Sequence, residues 1–371
     1  MAQFEKYLTE FLDGEMEKFH MPGYDCSVYH HHKEIYRHQN GVMDFESKRP
    51  LTKDTMYHVY SNTKVISCTA ALQLFERGKF LLEDRIDRFF PEFSKMKVET
   101  KDGIRDAENP ITIRDLFCMT AGIGDGSMPP ELGMRVMQET GGVCRPIEMP
   151  KYLAQIPLRF EPGTGYYYGI CHEVLAALIE KISDMSFSEY LQDNIFTPLG
   201  MEHTGFSMEK LGSENIASQY SYNGPDEELT PKGNHNCLIP PLLKESASGG
   251  LITTVDDYMK FQEALCKGNI ILRKPTIDLM RMNQLKGDQW KGYGYTDVGL
   301  GYGLGVRTIV NQAKAGSTVG FGPFGWGGAA GSYGSIDPEN ELTIFYVQTV
   351  FGTGAGRTQN LLRNLVYAFI E

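Results

Sequence analysis

The chain has 371 residues, 41% hydrophobic and 22% charged, the balance of a folded protein of one or two domains with a large core. A formal net charge of -11 and the lack of any Lys/Arg run argue against a nucleic-acid partner. The N-terminus has acids at Glu5 and Glu10 and no apolar signal core, and no segment approaches the roughly 18 apolar residues of a membrane span, so the sequence reads as cytoplasmic.

In chain order, Phe4, Leu8, Phe11, Leu12 and Phe19 recur at helical spacing, predicting an opening amphipathic helix that Met21-Pro22-Gly23 ends. CSVYHH and EIYRHQNGV then read as two strands around a turn near His32-Lys33. The run His30-His31-His32 invites a metal, but strand spacing turns His31 away, leaving at most a pair. We read the three as surface residues beside the turn. From Ser61 to about residue 236 the pattern is mostly helical, interrupted by the Gly- and Pro-rich stretch Thr120 to Pro150, which reads as a lid or binding loop. Thr253 and Thr254, followed by Asp256 and Asp257, predict a capping box. Beyond residue 295, GLGYGLGVRTIV, GSYGSI and LTIFYVQTVF predict an antiparallel sheet, with a turn at Asp337 to Asn340. Thr358 is expected to cap a last helix with Leu361, Leu362, Leu365, Val366 and Phe369 on one face.

Strands at both chain ends with helices between them predict an α/β (α+β) fold. Residues 1–60 and 237–371 are expected to form a sheet domain, 61–236 a mostly helical one, with a site in the cleft between. The seven cysteines, odd in number and far apart, suit neither a disulfide framework nor a metal cluster and are expected to be reduced.

The segment HVYSNTKVISCTAALQLFERGKF carries the chemistry. Val65, Cys68, Leu72 and Phe75 follow helical spacing and Gly78 supplies a stop, so Ser61 and Lys64 share a face at the start of a helix. There the hydroxyl meets unpaired N–H groups, and an apolar helix would carry the amine inward, where desolvation favours its neutral, proton-accepting form. A bare S-x-x-K string is also compatible with a capping serine and a surface lysine. Two further segments favour catalysis. In FEPGTGYYYGICHEV a turn leads through three tyrosines into a helix; Tyr168 is the candidate proton relay, Tyr166 and Tyr167 being packing residues. In FGPFGWGGAAGSYGSIDP a glycine-rich run around Trp326 precedes a strand, and its bare N–H groups can donate to an oxyanion. There is no G-x-S-x-G elbow, Pro323 interrupts the G-x-G-x-x-G match at Gly320 to Gly325, and His172-Glu173 lacks the second histidine of a zinc helix. No metal or cofactor is expected.

Ser61-Asn62-Thr63-Lys64, Pro162-Gly163-Thr164 through Tyr168, and Trp326-Gly327-Gly328 resemble the three motifs of the serine beta-lactamase-related, penicillin-binding-protein-like family. ITIRDLFCMTAGIG, FTPLGMEHTGF and SGGLITTVDDYMKF are similar to other recurrent stretches of it. The resemblance implies the beta-lactamase/transpeptidase-like fold and an acyl-enzyme on Ser61. Lys64 and Tyr168 would share acid and base roles, and the N–H groups of Ser61 and Ala329 would form the oxyanion hole. Two departures matter. Gly169-Ile170 follows Tyr168 where lactamases and peptidases have Tyr-x-Asn, and Trp326 replaces the lysine of Lys-Thr-Gly. An indole forms no ion pair with a substrate carboxylate. Both changes resemble the family VIII carboxylesterases and related acyltransferases, although Arg307 or Lys314 could supply the missing cation. The expected activity is cleavage or transfer of a small acyl group from an ester; the alternatives are a beta-lactam, D-peptide or D-amino-acid amide substrate, or a non-catalytic binding relative.

Overall fold

Strands from the two ends of the chain share one sheet. The computed structural model describes residues 2–294 and 298–370. Its main sheet is antiparallel and contains β1 (Gly23–His30), β2 (Lys33–Gly41), β3 (Leu300–Tyr302), β4 (Arg307–Ile309), β5 (Phe324–Gly327), β6 (Tyr333–Asp337) and β7 (Leu342–Gln348). The order is β2-β1-β7-β6-β5-β4-β3, with Cys26 opposite Tyr346 where the two ends meet. Both faces of β6 and β7 are buried, and β7 accordingly reads as a nearly continuous apolar run, whereas β6 is filled by small and polar residues beside Tyr333 and Ile336. Side-chain alternation assigns each residue to a layer. Leu342, Ile344 and Tyr346 pack with Phe4, Leu8 and Leu12 of α1 (Ala2–Lys18) and with Leu362 and Val366 of the C-terminal helix Ala355–Tyr367. Phe345 faces the other way, its ring stacked 4.1 Å from Tyr258.

The opening helix stops at Lys18, earlier than expected, and the chain turns through His20 at φ 54°. The hairpin turn also falls one residue early, on His31 and His32, both at positive φ as a two-residue hairpin loop of this twist requires. As turn residues the histidines diverge. His31 stacks on His30 and bonds Glu341 at 2.6 Å, whereas His32 bonds Glu263 at 3.0 Å.

The Thr120 to Pro150 stretch contains a helix, Pro130–Glu139, that its glycines and prolines conceal; Leu132 and Val136, one turn apart, bury its inner face. Between Ser61 and residue 236 the chain also forms a hairpin, Lys97–Thr100 with Gly103–Asp106, and two short strands, Gln219–Ser221 and Thr230–Gly233. Val350–Phe351 leaves the main sheet and pairs in parallel with Gln219–Ser221, so the LTIFYVQTVF run is two strands. Trp326 lies within strand β5. Residues 295–297, expected to open the strand-like region, lie outside the described residues, and β3 begins at Leu300.

Thr254 caps the helix Val255–Lys267 by accepting from Asp257 N–H, but the cap is not reciprocal. The Asp257 carboxylate instead accepts from His203 N–H at 2.7 Å and pairs with Lys260. Thr358 sits inside the last helix, which Gly354 precedes, and its hydroxyl bonds the buried Glu15 of α1. Leu361 and Phe369 are exposed, so the buried stripe is narrower than expected. All seven cysteines are free and six are buried. No helix among the described residues is long and apolar enough to cross a membrane.

Candidate active site

The turn Tyr60–Asn62 leads directly into α2 (Thr63–Glu76), placing Ser61 just ahead of the first helical turn. Arg77 caps α2 and Gly78 follows at φ 67°, as its sequence anticipates. Tyr60 has φ 46°, a conformation that costs a bulky side chain about 1–3 kcal/mol. Its buried phenol compensates by donating to Gln219 and accepting from Cys237 N–H. The strain therefore sits next to the serine.

Lys64 is 3% exposed. Its Nζ donates to the Ser248 carbonyl at 2.6 Å and to Ser61 Oγ at 3.3 Å, and it lies 4.8 Å from the centre of the Tyr168 ring. One turn along α2, Cys68 contacts His172, whose pKa is lowered to about 3, first by burial and then by the nearby Lys64 charge. The imidazole therefore stays neutral beneath the amine.

Tyr168 is 39% exposed. Its hydroxyl accepts a 2.9 Å hydrogen bond from the indole N–H of Trp326, and the two rings stack 5.4 Å apart. Gly169 is required for this approach, because a Cβ there would lie 2.2 Å from the Gly124 carbonyl oxygen. Tyr166 packs edge-on against Tyr293 and Tyr302, and Tyr167 takes the Arg159 guanidinium on its face at 4.0 Å. Both are packing residues.

Gly327 ends β5, and Gly328 opens the turn to β6 that carries the exposed Ala329. Gly328 N–H donates to the Ser332 carbonyl at 2.8 Å, and a Cβ on Gly328 would lie 2.4 Å from the Val59 carbonyl oxygen. The turn is thus pressed against the backbone two residues ahead of Ser61.

The structure therefore brings Ser61, Lys64, Tyr168 and Trp326 into one chain of contacts and sets the Gly328–Ala329 turn beside it. It does not bring in the two cations considered as replacements for the missing lysine. Arg307 pairs with Gly325 and so lies on the sheet face opposite Trp326, over the Tyr333 ring at 5.7 Å. Lys314 is exposed on the short helix Gln312–Ala315.

Sequence reasoning missed the supports of this site. The buried Glu173 carboxylate accepts from Ser246 Oγ at 2.5 Å and from the N–H groups of Ala247 and Ser248 at 3.1 Å, fixing the carbonyl that holds Lys64. Asn62, fully buried, donates to Ser332 Oγ at 2.8 Å, which donates in turn to the Val59 carbonyl at 3.1 Å. Tyr258 donates to the Asn62 carbonyl at 2.9 Å. The only available signal was position: Glu173 follows the tyrosine motif and Ser248 opens the SGGLITT stretch.

A mixed sheet-and-helix fold with a serine, a buried lysine and a tyrosine converging in this way defines the penicillin-recognising class of folds. The model of the Beta-lactamase family matches residues 8–368, and the chain belongs to that family. Among its curated relatives is Protein Rv1367c of Mycobacterium tuberculosis, 28% identical over 86% of this chain and 84% of the relative. Esterase EstB of Burkholderia gladioli is 26% identical over 99% of this chain and 96% of its own length. Acyltransferase calJ of Penicillium decumbens is 26% identical over 77% and 75%. In fold the chain is similar to EstCE1, a hydrolase with promiscuous acyltransferase activity, with a TM-score of 0.83 at 24% identity, covering 99% of both chains. The unliganded simvastatin synthase LovD of Aspergillus terreus gives 0.81 at 21%, also covering 99% of both.

Proposed function

We propose that the chain is a serine esterase or acyltransferase that works through an acyl-enzyme on Ser61 and takes a small, largely uncharged acyl donor. The observation that carries this reading is the 3.3 Å contact between a buried lysine amine and the Ser61 hydroxyl. Ser61 Oγ attacks the ester carbonyl, and its proton passes to the Lys64–Tyr168 pair and on to the departing alcohol. The N–H groups of Ser61 and Ala329 receive the oxyanion. Water or a second alcohol then attacks the acyl-enzyme, and Ser61 is regenerated. In this reading the segments 1–60 and 237–371 supply the wall bearing Trp326 to Ala329, and 61–236 the wall bearing Ser61, Lys64 and Tyr168.

Trp326 supports an uncharged substrate. Its indole N–H occupies the phenol but brings no charge to the cleft, and neither Arg307 nor Lys314 restores one. The names of EstB and calJ support ester cleavage and acyl transfer as the reaction class. Turnover of p-nitrophenyl butyrate and labelling by a fluorophosphonate probe are expected, both abolished in Ser61→Ala. Turnover that survives this substitution removes the proposal. The family match favours one alternative, beta-lactam hydrolysis, which nitrocefin cleavage faster than ester cleavage would establish.

A further inference from the structure

We propose that His32, Glu263 and Cys266 form a binding site for a divalent transition-metal ion of the zinc class, clipping the β1–β2 hairpin to the helix Val255–Lys267. Among the described residues, this is the one group of three such side chains whose ligand atoms converge, all lying within 4.8 Å of one another. The donor set of imidazole nitrogen, carboxylate oxygen and thiol sulfur is the borderline-soft combination that zinc takes and that magnesium and calcium do not.

The geometry is close to what such an ion needs. His32 Nδ1 and Glu263 Oε2 are 3.0 Å apart, and two ligands held about 2.0 Å from a tetrahedral ion stand only slightly further from each other. Cys266 follows Glu263 by three residues, so both project from one helix face. Cys266 Sγ donates to the Asp337 carbonyl at 3.5 Å and lies within 4.8 Å of the other two ligand atoms, so giving up that weak hydrogen bond and shifting by about 1 Å brings the sulfur into the sphere. Glu263 and Cys266 are only 7% and 6% exposed, whereas His32 is partly open, giving the ion a way in.

The surroundings orient the ligands. Thr343 Oγ1 donates to the other carboxylate oxygen of Glu263 at 2.7 Å, directing Oε2 inward. Glu341 lies 3.9 Å from His32 Nε2, where a carboxylate favours the tautomer that keeps the proton on Nε2 and leaves Nδ1 as the ligand. Lys267, 3.9 Å from Glu263 and partly exposed, is the cation that the ion replaces. Binding forms metal–nitrogen, metal–oxygen and metal–sulfur bonds and breaks the Cys266 S–H bond, releasing one proton to solvent. Water fills the remaining position.

The test uses the full chain, reduced, stripped with a chelator and titrated with Co2+ and with Zn2+ alone. One Co2+ per chain is expected, with the near-ultraviolet absorption of a thiolate–cobalt bond, together with a higher melting temperature in Zn2+. Cys266→Ser should lose the absorption. His32→Ala should weaken binding at least about tenfold, and a His30→Ala/His31→Ala double variant should change neither. The proposal is overturned if the unaltered chain shows no thiolate–cobalt band, which leaves a plain His32–Glu263 ion pair. It is equally overturned if binding survives in Cys266→Ser or disappears in the double variant. The first of these results is read in the unaltered chain and so stands even where a variant fails to fold.

Discussion

Asn62, fully buried, bridges the turn of Ser61 to the turn carrying Ala329 through its hydrogen bond to Ser332. For the proposed reaction it is a positioning residue. Removing the amide leaves a buried hydroxyl short of a partner, a loss of about 1–3 kcal/mol, felt where the two halves of the proposed oxyanion hole must hold their spacing. Asn62→Ala is therefore expected to lower kcat about tenfold with KM nearly unchanged. Steady-state kinetics beside a melting curve checks this, because a purely structural role would move the melting temperature alone. Trp326 allows a test in the other direction. Trp326→Lys restores a cation beside Tyr168 and should raise the ratio of nitrocefin to p-nitrophenyl butyrate turnover about tenfold, measured by competing the two substrates. At this scale the convergence of Ser61, Lys64, Tyr168 and Trp326 was legible, the first two from their helical spacing and the last two from the motif segments in which they stand. Asn62, Glu173 and Ser332 were not. Their partners are distant in sequence, and an isolated Asn, Glu or Ser carries no pattern.

Local periodicity predicts an element well when its neighbours lie close in the chain. α2 shows this, since an apolar run and a glycine stop delimit it, whereas Pro130–Glu139 is hidden by Gly133 in its middle turn. β5 escaped notice as a strand because Gly325 and Gly327 lack the branched side chains that mark strands, although close backbone approach is what they allow there. The Tyr168–Gly169 segment is sensitive in the same way. A methyl group at Gly169 meets the Gly124 carbonyl at 2.2 Å and has nowhere to go without a backbone shift. Gly169→Ala is expected to destabilise the fold by about 1–3 kcal/mol and to displace the phenol from Lys64. Thermal melts should show the first effect, and a drop in kcat for p-nitrophenyl butyrate the second.

Across the whole molecule, two buried histidines contribute to the response to acid. Burial lowers the pKa of His172 to about 3 and that of His58 to about 4, both below the usual histidine value of 6.5. Between those limits the unfolded chain binds protons that the folded chain refuses, so stability rises with pH through this window and is lost as pH falls from about 6.5 towards 3. Melting temperature should fall on acidification through that range, and the slope should be shallower in His172→Gln. The split of strands between the two chain ends was legible in the sequence because turn residues bound strand-like runs at both ends, CSVYHH and EIYRHQNGV at one and GSYGSI and LTIFYVQTVF at the other. The pairing of Val350–Phe351 with Gln219–Ser221 was not, since a two-residue strand has no period to read.

The pairing of β1 with β7 also has a consequence for how the protein is made. Residues 24 and 348 must become neighbours, yet the ribosome releases them far apart in time. Until β7 is synthesised, the early hairpin offers the open flank of β1 to any other extended chain, and closing so long a loop is slow. Nascent chains stalled short of β7 should therefore be a point of dependence on chaperones, and of aggregation when these are scarce.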